Sequence, residues 1–174
     1  MDMGLPVEGR FRRIGGRFYR IVTEDRRASA LAPALSPEGR FHHGGQPTLY
    51  VSSRPDWAEH AIKAYVKAGD APRVICELEI AAARVLDLRD AAQCADWGAD
   101  PALAAVPWLP ERAEGRPAST WRVSDLARDG GADGMIYTAR SAPGRWHLVL
   151  FDWLSPRVRA RLTGRTLPYP LAPG

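Results

Sequence analysis

The alternation of hydrophobic and polar positions divides the chain into short strands and a few separated helices. Phe18-Tyr19-Arg20-Ile21-Val22, aromatic and β-branched, predicts a first strand, and Thr48-Leu49-Tyr50-Val51-Ser52 a second. Between them Ser36-Pro37 and Glu38-Gly39 mark turns. Trp57, Ala58, Ala61, Ile62, Tyr65 and Val66 recur at helical spacing, predicting a helix over 57–67 with Asp56 as N-cap and Gly69 beyond its end. Residues 73–80 and 84–88 predict two further strands, and 90–117, with four prolines, a loop region holding one short helix. Ser119 or Thr120 caps a helix through Trp121, Val123, Leu126 and Ala127 to Gly130. Strands at 135–137 and 146–151 follow, joined by a turn over 140–144, and the second is the most apolar of all. Short strands with few, separated helices predict an α+β fold, one compact domain with peripheral helices. The Gly/Arg-rich residues 1–16 are expected to be loosely ordered. The proline-rich segment 163–174 is expected to run extended, outside any ladder.

Composition narrows the class. At 174 residues, 45% hydrophobic and 25% charged, the chain is long enough to bury a real core and too apolar for wholesale disorder. No window approaches 18 uninterrupted apolar residues, and no apolar leader follows Met1, so a cytoplasmic protein with no membrane partner is expected. Cys76 and Cys94 are too few for a disulfide framework. Net charge is only +4, yet 22 of the 24 basic residues are arginine, whose planar fork suits carboxylates and phosphates. The abundance of Ala, Gly and Pro beside them fits GC-rich coding, which leaves phosphate recognition to a few arginines.

Three stretches carry candidate chemistry. Gly39-Arg40-Phe41-His42-His43-Gly44-Gly45 sets an arginine in a flexible loop before a strand, a place from which guanidinium and backbone N–H groups reach one phosphate. The adjacent histidines point apart in extended chain, and no His-Glu-x-x-His or Cys-x-x-Cys completes a site, so no metal is expected. Tyr50 at a strand end and Glu59 on the next helix can converge on one cleft. An aromatic face and a carboxylate are what chemistry at a sugar C1 requires. Asp133-Gly134-Met135-Ile136-Tyr137-Thr138-Ala139-Arg140-Ser141 leads into the apolar strand as a hairpin whose end offers hydroxyls and an arginine. No P-loop, dinucleotide-fold fingerprint or G-x-S-x-G is present.

In this order the pieces resemble the RES domain, the toxin half of many bacterial toxin–antitoxin pairs. The resemblance is carried by Phe18-Tyr19-Arg20, Gly39-Arg40-Phe41-His42, Pro47-Thr48-Leu49-Tyr50, the helix with Glu59, Asp133-Gly134-Met135-Ile136-Tyr137 and Leu148-Val149-Leu150-Phe151, roughly residues 17–153. It implies an NAD+-binding catalytic domain over 17–162, related in fold to ADP-ribosyltransferase toxins, with NAD+ as substrate. RES toxins either destroy NAD+ by hydrolysis or phosphorolysis or transfer ADP-ribose to a protein; a ParT-like branch is thought to modify phosphoribosyl pyrophosphate synthetase. The implied partner is an antitoxin with an Xre-like helical domain, its C-terminal part in the cleft, so that nucleic acid is met only through the antitoxin.

By position, the resemblance gives Arg20 and Arg40 to the NAD+ phosphates, Tyr50 to the nicotinamide and Glu59 to the ribose carbon, with His42, Ser119 and Ser141 as further NAD+-binding candidates. Relatives usually carry the glutamate two residues later, where this chain has Ala61. Either Glu59 is the equivalent or position 61 has lost its carboxylate. Relatives also commonly have asparagine at His42, and Ala139 follows Thr138 where a gapless match puts the family serine. The departures favour a divergent branch and, slightly, transfer to a protein over plain NAD+ breakdown. A rival from another class, an Arg-rich nucleic-acid-binding or RNA-cleaving module, rests on the isoelectric point of 9.4 and on His42 and His43. The arginines spread along the whole chain, which weighs against it.

Overall fold

A long strand organises the molecule. In the computed structural model, which describes residues 10–173, β3 (Arg73–Asp87) runs unbroken where the sequence predicts two strands. Ala81-Ala82-Ala83 joins the halves because β1 (Arg12–Thr23) pairs antiparallel with β3 along nearly its whole length, from Thr23 opposite Arg73 to Arg12 opposite Val85. On the other edge of β3 lie β6 (Arg161–Pro168), antiparallel beside its first half, and β4 (Gly134–Ala139), parallel beside its last three residues. β4 continues through a two-residue turn into β5 (Ala142–Leu150), β5 pairs with β2 (Leu49–Ser52), and β2 returns to β1 at Tyr19 opposite Ser52. Five strands thus close a small barrel in the order β1-β2-β5-β4-β3, and β6 extends it along β3.

Closure explains the apolar runs. Phe18, Leu49, Leu78, Ile80, Val85, Ile136, Leu148 and Leu150 come from all five barrel strands and form one buried cluster. Their neighbours Met135, Tyr137 and Val149 point the other way, into a second cluster with Trp97, Val123 and Ala127 of the helices. Side chains alternate along a strand, so Gly134–Tyr137 of β4 and Leu148–Leu150 of β5 are buried on both faces and read as continuous hydrophobic sequence. The helices covering the outer face are α2 (Ala91–Trp97), α3 (Pro101–Ala104), α4 (Trp108–Ala113) and α5 (Ser119–Asp129). Region 90–117 therefore holds three short helices rather than one; Asp90 and Asp100 cap two of them through Gln93 N and Ala102 N. α1 (Pro55–Ile62) starts one residue before Asp56, with Pro55 in the first turn, and gives way to a 3-10 turn over Lys63–Tyr65.

Both terminal expectations need correction. Residues 1–9 lie outside the described residues, but 12–16 are ordered in β1, where Arg12 Nε reaches the buried Asp87 at 2.7 Å. The segment 163–168 joins a ladder after all: Thr166 and Leu167 face Cys76 and Ile75, and Pro168 closes it opposite Val74. Proline lacks a donor but is tolerated at the end of an outer strand. After it the chain bends at Tyr169 and Pro170.

Candidate functional site

One loop and one helix build the site's frame. Residues 36–46 fold back on themselves, with Gly39 N–H donating to His42 O at 2.9 Å. α5 holds this loop from outside: Trp121 Nε1 donates to Gly39 O at 2.8 Å, Thr120 Oγ1 donates to Arg40 O, and the His43 ring stacks on Trp121 while its Nε2 donates to Asp125 at 2.7 Å. Inside the loop His42 is only 2% exposed, and both ring nitrogens have partners. Its Nε2 meets the carbonyl of Ser36 at 2.8 Å; a carbonyl only accepts, so Nε2 carries the proton. Burial pushes the imidazole below its ordinary value, and in the neutral ring Nδ1 accepts from the Tyr50 hydroxyl at 2.8 Å. That hydroxyl in turn accepts Phe41 N–H at 2.9 Å. Burial also pushes the Tyr50 phenol well above its ordinary value.

Two hollows adjoin this frame, and Tyr137 lines both. The first, about 150 Å³, lies among β1, β2, β5 and α1, with Tyr19, Arg20, Tyr50, Ser52, Ala61 and His147 in its walls. The second, about 190 Å³, lies between the hairpin and α3, walled by Arg40, Ala104, Thr138, Ala139 and Arg140. Arg20 Nη1 donates to the carbonyls of Ala30 and Ala32 at 2.6 and 2.5 Å, and burial lowers its guanidinium to about 10, so it keeps its charge at neutral pH. Arg40 lies 4.9 Å over the rings of both Phe41 and Tyr137 and donates through Nη2 to Ala104 O at 2.6 Å. Its Nε is buried with no partner among the described residues, and burial lowers its pKa too.

The sequence candidates therefore separate. Arg20 and Tyr50 meet in the first hollow, and Arg40 borders the second across Tyr137. His42 lines neither; it positions Tyr50. Glu59 is outside both hollows, and its Oε1 accepts Leu171 N–H at 2.7 Å from the chain after β6. Ala61 is in the wall of the first hollow, at its exposed rim, because two residues along a helix turn about 200°. Ser119 is also elsewhere: its N–H and hydroxyl both bind Glu111, tying α4 to α5, and neither Ser119 nor Thr120 caps the helix through its side chain. Ser141 is exposed in the turn of the hairpin, 3.5 Å from Arg145 Nη2, not in a hollow. Thr138, three residues earlier, is the hydroxyl-bearing residue in the wall of the second hollow.

Sequence reasoning missed Ser52 and His147. They are 3% and 4% exposed, face each other across β2 and β5, and join Ser52 Oγ to His147 Nδ1 at 2.7 Å. The signal was present: a histidine inside the most apolar strand needs a partner if buried. Tyr19 has a further role: its hydroxyl donates to the buried Glu77 at 3.1 Å. Burial alone would raise the Glu77 carboxyl, but Thr163, Tyr19, Arg17 and Arg165 hold it below the ordinary carboxylate value. Among the described residues, no group of three His, Cys, Asp or Glu side chains gathers to hold a metal, and no helix is long and apolar enough to cross a membrane.

Fold and site together define a single-domain α+β protein, a small closed barrel with a cleft of tyrosines and arginines at one face. The chain belongs to the RES domain family, whose model matches residues 10–172. No curated protein matches it in sequence. Among solved structures it is similar to a chain of the crystal structure of the M. tuberculosis MbcT–MbcA toxin–antitoxin complex, with a TM-score of 0.59 and 16% identity over 93% of this chain and 88% of that one. At that identity the likeness is one of fold.

Proposed function

We propose that this RES-domain chain is the toxin half of a toxin–antitoxin pair and that its twin hollows take NAD+. The observation carrying this reading is the pair of half-buried guanidinium groups, Arg20 and Arg40, on either side of Tyr137. Two fixed cations suit a pyrophosphate, and the tyrosine-lined first hollow suits the flat nicotinamide end. The reaction is cleavage of the bond between nicotinamide and ribose C1′, with ADP-ribose passed to a protein acceptor; phosphoribosyl pyrophosphate synthetase is the acceptor the ParT-like resemblance suggests. Water or phosphate in the acceptor's place makes the same chemistry an NAD+ glycohydrolase or phosphorylase. The partner is an antitoxin with an Xre-like helical domain, its C-terminal part entering the cleft.

A second reading, NAD+ binding without turnover, is favoured by one observation: among the described residues no carboxylate lines the first hollow, with Ala61 at its rim and Glu59 held by Leu171. The nucleic-acid reading loses ground, because arginines pair with carboxylates around the molecule, among them Arg12 and Arg89 with Asp87, Arg157 with Asp133, and Arg161 with Glu79.

The test is calorimetric titration with NAD+ alongside nicotinamide release, with and without phosphate, for the unaltered chain and Arg40→Ala. Binding lost or weakened tenfold or more in Arg40→Ala supports the site, since a hydrogen bond to a charged group contributes about 1.5–3 kcal/mol. Equal binding by both chains would sink it. Products then separate the acceptors: ADP-ribose for water, its phosphorylated form for phosphate, a mass gain of one ADP-ribose on a protein for transfer.

A further inference from the structure

We infer that His147, oriented by Ser52, is the general base of the first hollow, taking the proton from the hydroxyl-bearing acceptor that attacks the sugar carbon. The inference rests on the NAD+ reading and adds a residue that the resemblance did not supply.

Geometry supports it first. Among the described residues the His147 ring makes one hydrogen bond, between Nδ1 and Ser52 Oγ at 2.7 Å. Nε2 has no partner among the described residues and keeps some solvent exposure, on a side chain that lines the first hollow. In the tautomer that serves as base, Nδ1–H donates to Ser52 Oγ, which leaves the lone pair on Nε2 for an acceptor in that hollow. The ring also lies against Tyr137, 5.5 Å between centroids, which limits its rotation.

Elimination supports it second. The other titratable side chains in the walls are Tyr19, Tyr50, Tyr137 and Arg20. Burial raises all three phenols, Tyr137 to about 12, so each keeps its proton at neutral pH, and Arg20 at about 10 keeps its own. Burial pushes His147 down to about 4, assisted by the positive charge of Arg40 on the loop, Arg145 on its own strand and by His60 on α1. It is therefore neutral at pH 7 and, among the described residues of the walls, the one side chain able to accept a proton. A base this weak suffices where the electrophile is already an oxocarbenium-like carbon.

In the balanced step, the C1′–N bond breaks and its electron pair neutralises the pyridinium, so nicotinamide leaves uncharged. The acceptor oxygen bonds to C1′, and its proton passes to His147 Nε2. Ser52 Oγ accepts from Nδ1–H throughout, holding the resulting imidazolium.

The experiment measures NAD+ affinity by calorimetry and nicotinamide release from pH 3.5 to 8 for the full chain, His147→Gln and Ser52→Ala. In the unaltered chain release is level above pH 5 and falls through a limb near pH 4. His147→Gln is expected to bind NAD+ within twofold of the unaltered chain, to release nicotinamide about 100-fold more slowly, and to lose the acid limb. Ser52→Ala, which alters a positioning residue, is expected to slow release about tenfold with the limb retained. Release by His147→Gln within threefold of the unaltered rate, or an acid limb absent from the unaltered chain, overturns the assignment. Should His147→Gln not fold, the limb of the unaltered chain and the Ser52→Ala rate decide. NAD+ binding with no release by the unaltered chain also overturns it, since the base then does not suffice without a carboxylate. Absence of NAD+ binding overturns the functional reading itself, and the assignment with it.

Discussion

The Tyr50 hydroxyl lies 2.8 Å from Nδ1 of His42, and this bond commits the polar end of Tyr50 to the loop while its ring lines the first hollow. The same oxygen accepts Phe41 N–H, so one phenol fixes both the backbone and a side chain of the loop that carries Arg40. Tyr50→Phe keeps the ring and deletes both bonds. A buried N–H left unpaired costs about 1–3 kcal/mol, and the change should lower stability by about 2 kcal/mol. Urea denaturation of the two chains checks it; equal midpoints would show that water takes the hydroxyl's place.

Gly39 is fixed by the same network. A Cβ there would stand 2.4 Å from Cε1 and 2.8 Å from Nδ1 of His42, a ring locked at both nitrogens. Gly39→Ala should destabilise by about 1–3 kcal/mol through overpacking. Gly144→Ala is the control, since nothing lies within 4 Å of its Cβ position, and it should change stability by less than about 0.5 kcal/mol. Thermal unfolding of both variants tests the contrast.

Acid should weaken the fold through His147. Its folded value is about 4 against 6.5 for an ordinary histidine, so the unfolded chain binds the proton first as pH falls. The stabilisation is complete above pH 6.5 and is lost between 6.5 and 4, about 3 kcal/mol in total. His42, also lowered by burial, acts in the same direction. Stability measured by urea at successive pH values should fall less steeply for His147→Gln than for the unaltered chain across that window. Parallel curves would place the histidine's protonation elsewhere.

Glu59 and Ala61 make opposite predictions. Glu59→Gln retains an oxygen for Leu171 N–H and touches neither hollow, so NAD+ affinity and nicotinamide release should stay within twofold. Ala61→Glu adds a carboxylate at the rim of the first hollow, where it meets the positive charge of a developing oxocarbenium ion; release should rise tenfold or more, in line with removal of electrostatic groups elsewhere costing about 100-fold or more. A loss of release in Glu59→Gln together with no gain in Ala61→Glu would return the carboxylate's role to Glu59.

The two arginines show how much of the site was legible in the chain. Arg40 is readable as a phosphate candidate from its glycine-bounded loop, and Arg20 became one only through the resemblance. Nothing in their spacing says that Tyr137, far along the chain from both, stands between the hollows they border. Glu59 shows the limit from the other side: helical periodicity put it on α1, but which side of α1 meets the cleft depends on where β2 and β5 pack against it.

By itself the sequence determined what local physics decides. Alternation and β-branching marked the strand cores, α5 followed from its apolar spacing, and the ordered motifs pointed to the family. Tertiary structure decided the rest, because long-range pairing is set by partners distant in sequence. β1 extends to Arg12 and Thr166 joins a ladder only because the two edges of β3 offer hydrogen bonds to them. Ser52 and His147 become a pair only because β2 aligns with β5, 95 residues apart in sequence and 2.7 Å apart in the fold.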